Sequence, residues 1–241
     1  MNEQKSAPVR RKKRSQLAEI WRRMRRNRLA MLGLAVVVIL ILVAVFADQI
    51  ADYDTVVIKQ DVVHRFQGPS AKHWFGTDEL GRDIFARLVH GARISLLVGV
   101  VAVAIALATG GTLGAIAGYF GGVVDNVIMR VMDVFLSIPI LLLAIMIVAA
   151  LGSSMTNLMI AIGLASMPTF ARVVRASVLS VKDQEFVEAA RAIGATNGHI
   201  ILRHILPNCL SPIIVQATLR VATAILSTAS LSFIGLGIKP P

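Results

Sequence analysis

Two stretches of this chain leave little choice except helices that cross a lipid bilayer. Leu29–Ala47 holds no charged residue, and Val134–Ala171 runs 38 residues without one. At 1.5 Å per residue the first stretch reaches about the thickness of the hydrocarbon core. The second is too long for one span, and Gly152-Ser153-Ser154-Met155-Thr156-Asn157 is the turn expected to break it into two. Ile94 to about Phe120 and Cys209 to about Gly235 complete a predicted set of five spans. The expected fold class is an all-α polytopic membrane protein. A composition of 56% hydrophobic and 16% charged residues agrees, being too apolar for an ordinary soluble domain.

Charge distribution sets the predicted topology. Eleven of the 25 Lys and Arg residues lie in Met1–Arg28, directly before the first span. A basic segment there is a topology and anionic-lipid signal, and the N-terminus is expected in the cytoplasm. Its second half, Gln16–Arg28, has the pattern of an amphipathic surface helix through Leu17, Ile20, Trp21 and Met24. The net charge of +11 does not imply nucleic-acid binding, because no aromatic-rich basic surface accompanies the tail. Asp48–Arg93 is the external loop, with six basic against seven acidic residues. Within it Asp83–His90 is expected as a short interfacial helix, with Trp74 and Phe75 at headgroup level. His64, His73 and His90 follow no metal-ligand spacing and read as surface or structural residues. The single Cys209 excludes an intrachain disulfide framework, and no cofactor site is evident.

Several features within the spans carry structural expectations. Gly110, Gly114 and Gly118 recur every four residues and form a small-residue stripe, read first as intrachain helix packing and second as a subunit contact. Gly121–Asp133 is expected as a short cytoplasmic turn, with Arg130 and Asp133 spaced to pair on a helix. Pro139 and Pro168 are expected to kink spans, for gating or for purely structural reasons. Arg220 interrupts the last span; it either lines a pathway or pairs with a carboxylate such as Asp133 or one on a partner subunit. Ala222, Ala224, Ser227, Ala229 and Ser230 follow it and predict a buried helix.

The polar segment 180–207, SVKDQEFVEAARAIGATNGHIILRHILP, reads as a two-helix elbow. Ser180 and Asp183 have the form of a capping box, Phe186, Val187, Ala190 and Ile193 recur at helical spacing, and Gly194 suits a left-handed C-terminus. Asn197 is a candidate cap for the second helix, and Pro207 its stop. Arg172, Arg175, Lys182, Arg191 and Arg203 outnumber three acids here, as expected of a cytoplasmic segment.

Glu188-Ala189-Ala190, then Gly194, then Leu206-Pro207 resemble the EAA loop of permease subunits in ATP-binding-cassette (ABC) importers. One departure is His204, where that pattern has an isoleucine two residues before Leu-Pro. The resemblance runs from about Leu29 to Pro241, and His73–Leu96, Asp125–Pro139 and Leu231–Pro241 look like the dipeptide/oligopeptide/nickel branch, its C-type subunits in particular. It implies the type I importer permease fold in a bacterial inner membrane and a chain with no bond chemistry of its own. It implies docking of Glu185, Glu188, Ala189, Ala190, Arg191 and Gly194 onto an ATPase. The implied partners are two cytoplasmic ATPase subunits, a second homologous permease making a heterodimer, a periplasmic or lipid-anchored substrate-binding protein, and membrane lipid. Segments 1–28, 29–47, 48–93 and 94–241 are then the basic N-terminal segment, first span, external loop and permease core. Members of the family carry a sixth span, so an incomplete sequence is expected.

Other classes fit the residues less well. GGTLGAIAG, residues 110–118, is followed by no Gly-Lys-Ser/Thr, so a nucleotide motor is expected on another polypeptide. An ion-gradient-driven secondary transporter, the main alternative, would ordinarily carry carboxylates inside its spans. An intramembrane hydrolase would need a histidine near Ser137, Ser166 or Ser227, and none lies deep in a span.

Overall fold

Asn27 turns the basic lead into the first span. In the computed structural model, which describes residues 21, 22 and 24–237, its side-chain oxygen accepts from the backbone N–H groups of Leu29 and Ala30 at 3.1 and 3.2 Å. Helix α1 (Arg28–Val45) follows, with almost its whole surface exposed. Residues 16–20 and 23 of the expected surface helix, Leu17 and Ile20 among them, lie outside the described residues, as does the end of the chain beyond residue 237.

The loop is a folded polar cap. Asp78 accepts from the backbone N–H of Leu80 and of Arg82 (both 2.9 Å), from Arg82 Nε (2.9 Å) and from Arg87 (2.5 Å). Burial works against ionisation of Asp78, but the backbone N–H groups and the Arg82 guanidinium outweigh it and hold the carboxyl below the usual carboxylate range. His90 hydrogen-bonds through Nε2 to the carbonyl of Ala51 at 2.7 Å, a structural role. Trp74 and Phe75 are exposed and pack on Phe85, tilted and edge-on respectively, with ring centroids 4.9 and 5.6 Å away.

Asp83 caps the next helix by accepting from the N–H of Ala86 at 2.9 Å. The separate interfacial helix expected at Asp83–His90 is therefore the first two turns of α2 (Ile84–Ala106). A π turn at Leu107–Gly111 joins α2 to α3 (Thr112–Phe120), giving a helical run of 37 residues that stops at Gly121, φ +63°. Gly121–Asp133, expected as a turn, belongs instead to helix α4 (Gly122–Leu136). α4 meets α5 (Ile140–Leu151) at an 89° bend over Ser137–Pro139, so Pro139 marks a break rather than a kink. The 12 residues of α5 span only about 18 Å, and a full crossing needs the bent pair together.

Gly152 (φ +91°) and the Ser154 cap, whose Oγ accepts from Asn157 N–H at 3.1 Å, separate α5 from α6 (Met155–Val181) as the sequence predicted. Pro168 sits inside α6 without ending it. After the elbow, α8 (Leu210–Phe233) returns along the bundle. The described residues thus hold four helices long and apolar enough to cross a membrane, or five with the bent pair.

The core is the seam between α2–α3 and α6, which run side by side in the same direction. A Cβ on Gly110 would overlap the carbonyl oxygen of Met167, and one on Gly114 that of Ala171. At Gly118 a Cβ would meet Val178 at 2.9 Å, and from α6 one on Gly163 would meet Ile105 at 2.8 Å. The glycine stripe serves intrachain packing: without side chains the two backbones touch, and dispersion replaces the hydrophobic drive that lipid does not supply. Helix α8 is not the buried helix its small residues predicted. Only a narrow face of it (Ile213, Ala224, Thr228 and Leu231) is buried, while Ala222, Ala229 and Ser230 are exposed.

Gly114→Val should lower the thermal unfolding midpoint in detergent by the equivalent of about 1–3 kcal/mol, because overpacking must push α3 off α6. Gly33→Ala in α1, where nothing lies within 4 Å of the added carbon, should leave the midpoint unchanged or higher.

Candidate functional site

The elbow begins where α6 ends. Its first arm is α7 (Glu185–Ala192), whose N-cap is Gln184 with no side-chain cap bond. The capping box expected from Ser180 and Asp183 does not form, because α6 still includes Ser180 and its hydroxyl donates to the carbonyl of Ser177 at 2.7 Å. At the other end the N–H of Ala195 donates to the Ala190 carbonyl (3.1 Å) and that of Gly194 to Arg191 (3.0 Å). This is the Schellman arrangement, and Gly194 at φ +81° supplies the left-handed residue it requires. The second arm runs through Asn197–His199, a π turn at Ile200–Ile205 and Leu206–Asn208. Thr196, not Asn197, is its N-cap, and Pro207 lies at the start of the last short turn rather than stopping the arm.

The arms pack on each other and on the end of α6. Val187, Ala190, Ile200 and Ile205 are buried together with Val174, Val178, Val181 and Cys209. Phe186 and Ile193, predicted for this face, point outward, Ile193 being 84% exposed. The small side chain of Ala190 is what lets α7 lie on the second arm. Beside the second arm an apolar crevice of about 290 Å³ remains, lined by Leu107, Ala115, Val174, Ile201, Leu206 and Ile213 among others.

The outer surface of the first arm carries Glu185, Glu188, Ala189, Arg191 and Gly194, all exposed. Both glutamates lie in the first turn of α7, where the partial positive charge of the helix N-terminus favours them. Of the predicted docking residues only Ala190 is buried. The Arg191 guanidinium has a partner within the chain, lying 5.9 Å from the ring centre of Tyr119. The Tyr119 hydroxyl donates to Asn197 Oδ1 at 2.8 Å. Sequence reading missed Tyr119, which is 78 residues from Asn197 and has no local pattern to mark it.

Two ion pairs clamp α4 across α6 next to the elbow. Arg175 binds Asp125 through two bonds of 2.5 Å, and Arg172 donates to Asp133 at 2.7 Å. The Arg130–Asp133 pair expected from helical spacing is replaced by the Arg172 pair. Nor does Arg220 meet Asp133: it donates to Thr169 Oγ1 at 3.0 Å, from α8 to α6. The pairs join residues eight apart on α4 to residues three apart on α6, in opposite order along the two helices.

A multi-span helical bundle with an exposed two-armed polar projection between its last two long helices defines a polytopic membrane protein. Comparison with known proteins gives the family. The chain belongs to the binding-protein-dependent transport system inner membrane components, whose family model matches residues 110–241. Residues 15–69 match the N-terminal TM domain of oligopeptide transport permease C. The dipeptide transport system permease protein DppC of Alkalihalophilus pseudofirmus is 50% identical over 223 residues, 92% of this chain and 73% of that one. The glutathione transport system permease protein GsiD of Escherichia coli shows the same identity and coverage. The inward-facing MetNI methionine ABC transporter shares the fold, with a TM-score of 0.54 and 24% identity over 63% of this chain and 76% of that one. Nothing in these comparisons supports the secondary-transporter alternative.

Arg175→Ala leaves the largely buried Asp125 carboxylate without its guanidinium. A loss of about 1.5–3 kcal/mol in unfolding stability is expected. Arg175→Gln combined with Asp125→Asn should recover part of it, read as a coupling energy in a double-mutant cycle.

Proposed function

We propose that this chain is the translocation subunit of an ATP-driven importer for short peptides or related solutes such as glutathione, and that it performs no bond chemistry. The observation that carries the reading is the 50% identity to dipeptide and glutathione permeases over nearly the whole chain, elbow included. The N-terminus and the elbow face the cytoplasm, and the Asp48–Arg93 loop faces outward, in keeping with the basic excess before α1. A second, similar permease completes the pore as a heterodimer. Two cytoplasmic ATPases supply the force, and an external binding protein delivers the solute.

The geometry suits a lever. Glu185 and Glu188 offer carboxylates to basic or amide donors on the ATPase, beside the flat, small surface of Ala189. Arg191 and Gly194 complete the exposed edge. A pull on this edge reaches the bundle through α6, because the arms are buried against its last turns. α6 in turn is in backbone contact with α3, so it cannot move alone. The ATPase stroke is thereby converted into rocking of packed helices, opening the pathway to one side at a time. Arg220, tied to Thr169 between α8 and α6, is placed to follow that motion.

Glu188→Lys tests the docking role. Association with the ATPase, measured by co-purification from membranes, should weaken at least about tenfold, the effect of reversing one partner of an interfacial charge pair. Membrane insertion should be unchanged. Normal ATPase association in this variant would remove Glu188 from the interface, and solute uptake driven by an ion gradient in ATP-free vesicles would favour the secondary-transporter reading.

A further inference from the structure

Beyond its own Schellman bonds, the outer side of the elbow's apex is open. Gly194 has no atom within 4 Å of where a Cβ would stand, and Ile193 beside it is 84% exposed. The angle between the arms must be set from beneath. The apolar seam of Val187 and Ala190 against Ile200 and Ile205 is part of that support, but hydrophobic contact is non-directional and tolerates sliding. The crevice beside the second arm leaves room for such a slide.

Tyr119 supplies the directional part. It lies in the last turn of α3, immediately after Gly118, whose backbone is pressed against Val178 and Arg175 of α6, so its own position is fixed by the bundle. Its hydroxyl bonds Asn197 at the start of the second arm. Its ring faces the Arg191 guanidinium in the last turn of the first arm. One side chain therefore touches both arms, on either side of the Gly194 bend, from a helix that belongs to neither. The hydroxyl bond is lost within about 1 Å of displacement, whereas the seam beneath it persists.

We propose that Tyr119 is a positioning residue that sets the angle between the two arms of the elbow and ties that angle to the end of α3. The assignment rests on the coupling role proposed for the elbow. With Tyr119 engaged, a force on α7 moves the second arm and α3 together. Without it the first arm yields at Gly194, and part of the stroke is dissipated in the elbow.

The test uses the whole complex, purified with its ATPases, partner permease and external binding protein and placed in proteoliposomes. ATP hydrolysis is measured with and without the binding protein carrying its co-purified solute. Tyr119→Phe removes only the hydroxyl, and Asn197→Ala only its acceptor. In each, stimulation by the loaded binding protein should fall about threefold to tenfold, the factor a lost net hydrogen bond commands, at unchanged complex yield and basal hydrolysis. The double variant should be no worse than either single one. Unchanged stimulation in Tyr119→Phe would overturn the assignment, as would parallel loss of yield, basal and stimulated rates, or additive losses in the double variant. If the unaltered complex shows no stimulation at all, the coupling role of the elbow fails and this assignment falls with it.

Discussion

The structure depends on backbone contact between α3 and α6. In lipid a leucine gains nothing by leaving the tails for a neighbouring helix, so association rests on how closely helices can approach. Gly110, Gly114 and Gly118 on one side and Gly163 on the other remove every side chain that would hold the pair apart. α6 becomes the most buried of the spans, and the other parts of the molecule are referred to it. It receives α4 through two ion pairs, contacts α8 through Thr169 and Arg220, and continues into the elbow.

In the coupling role proposed for the elbow, that arrangement is the route by which an apolar bundle takes up a force applied outside the membrane. A lever is useful only if its root is stiffer than its handle. The root is the α3–α6 seam, where backbone atoms are already in contact and cannot be compressed further. The handle is short, capped by a Schellman turn, and acidic on its outer edge. The exposed face of α1 is apolar, as lipid requires of it, whereas that of α8 mixes apolar residues with Ser211, Thr218, Thr223 and Ser230.

Elements governed by local chemistry were legible in the chain. The long apolar runs located α1, α6 and α8, the Gly152 and Ser154 signals located the turn before α6, and Gly194 marked the elbow bend through its need for positive φ. Local rules failed where a competing local partner was better placed. Ser180, expected as a cap, lies inside α6, where its hydroxyl bonds back to Ser177 while the helix continues. Asp83, expected at the edge of an interfacial segment, is the N-cap of α2, followed by apolar residues at helical spacing.

The candidate site divides along the same line. Its composition, two acids in the first turn of a short helix with a small flat surface and a glycine end, follows from residues within a few positions of each other, and the sequence alone determined it. Which charges pair was decided only by the tertiary structure. Arg172 rather than Arg130 neutralises Asp133, Thr169 rather than Asp133 receives Arg220, and Tyr119 reaches Asn197 across 78 residues. The physical reason is range: helix propensity, capping and hydropathy act within one or two turns, whereas a side-chain bond between helices exists only after packing has set their separation and crossing angle.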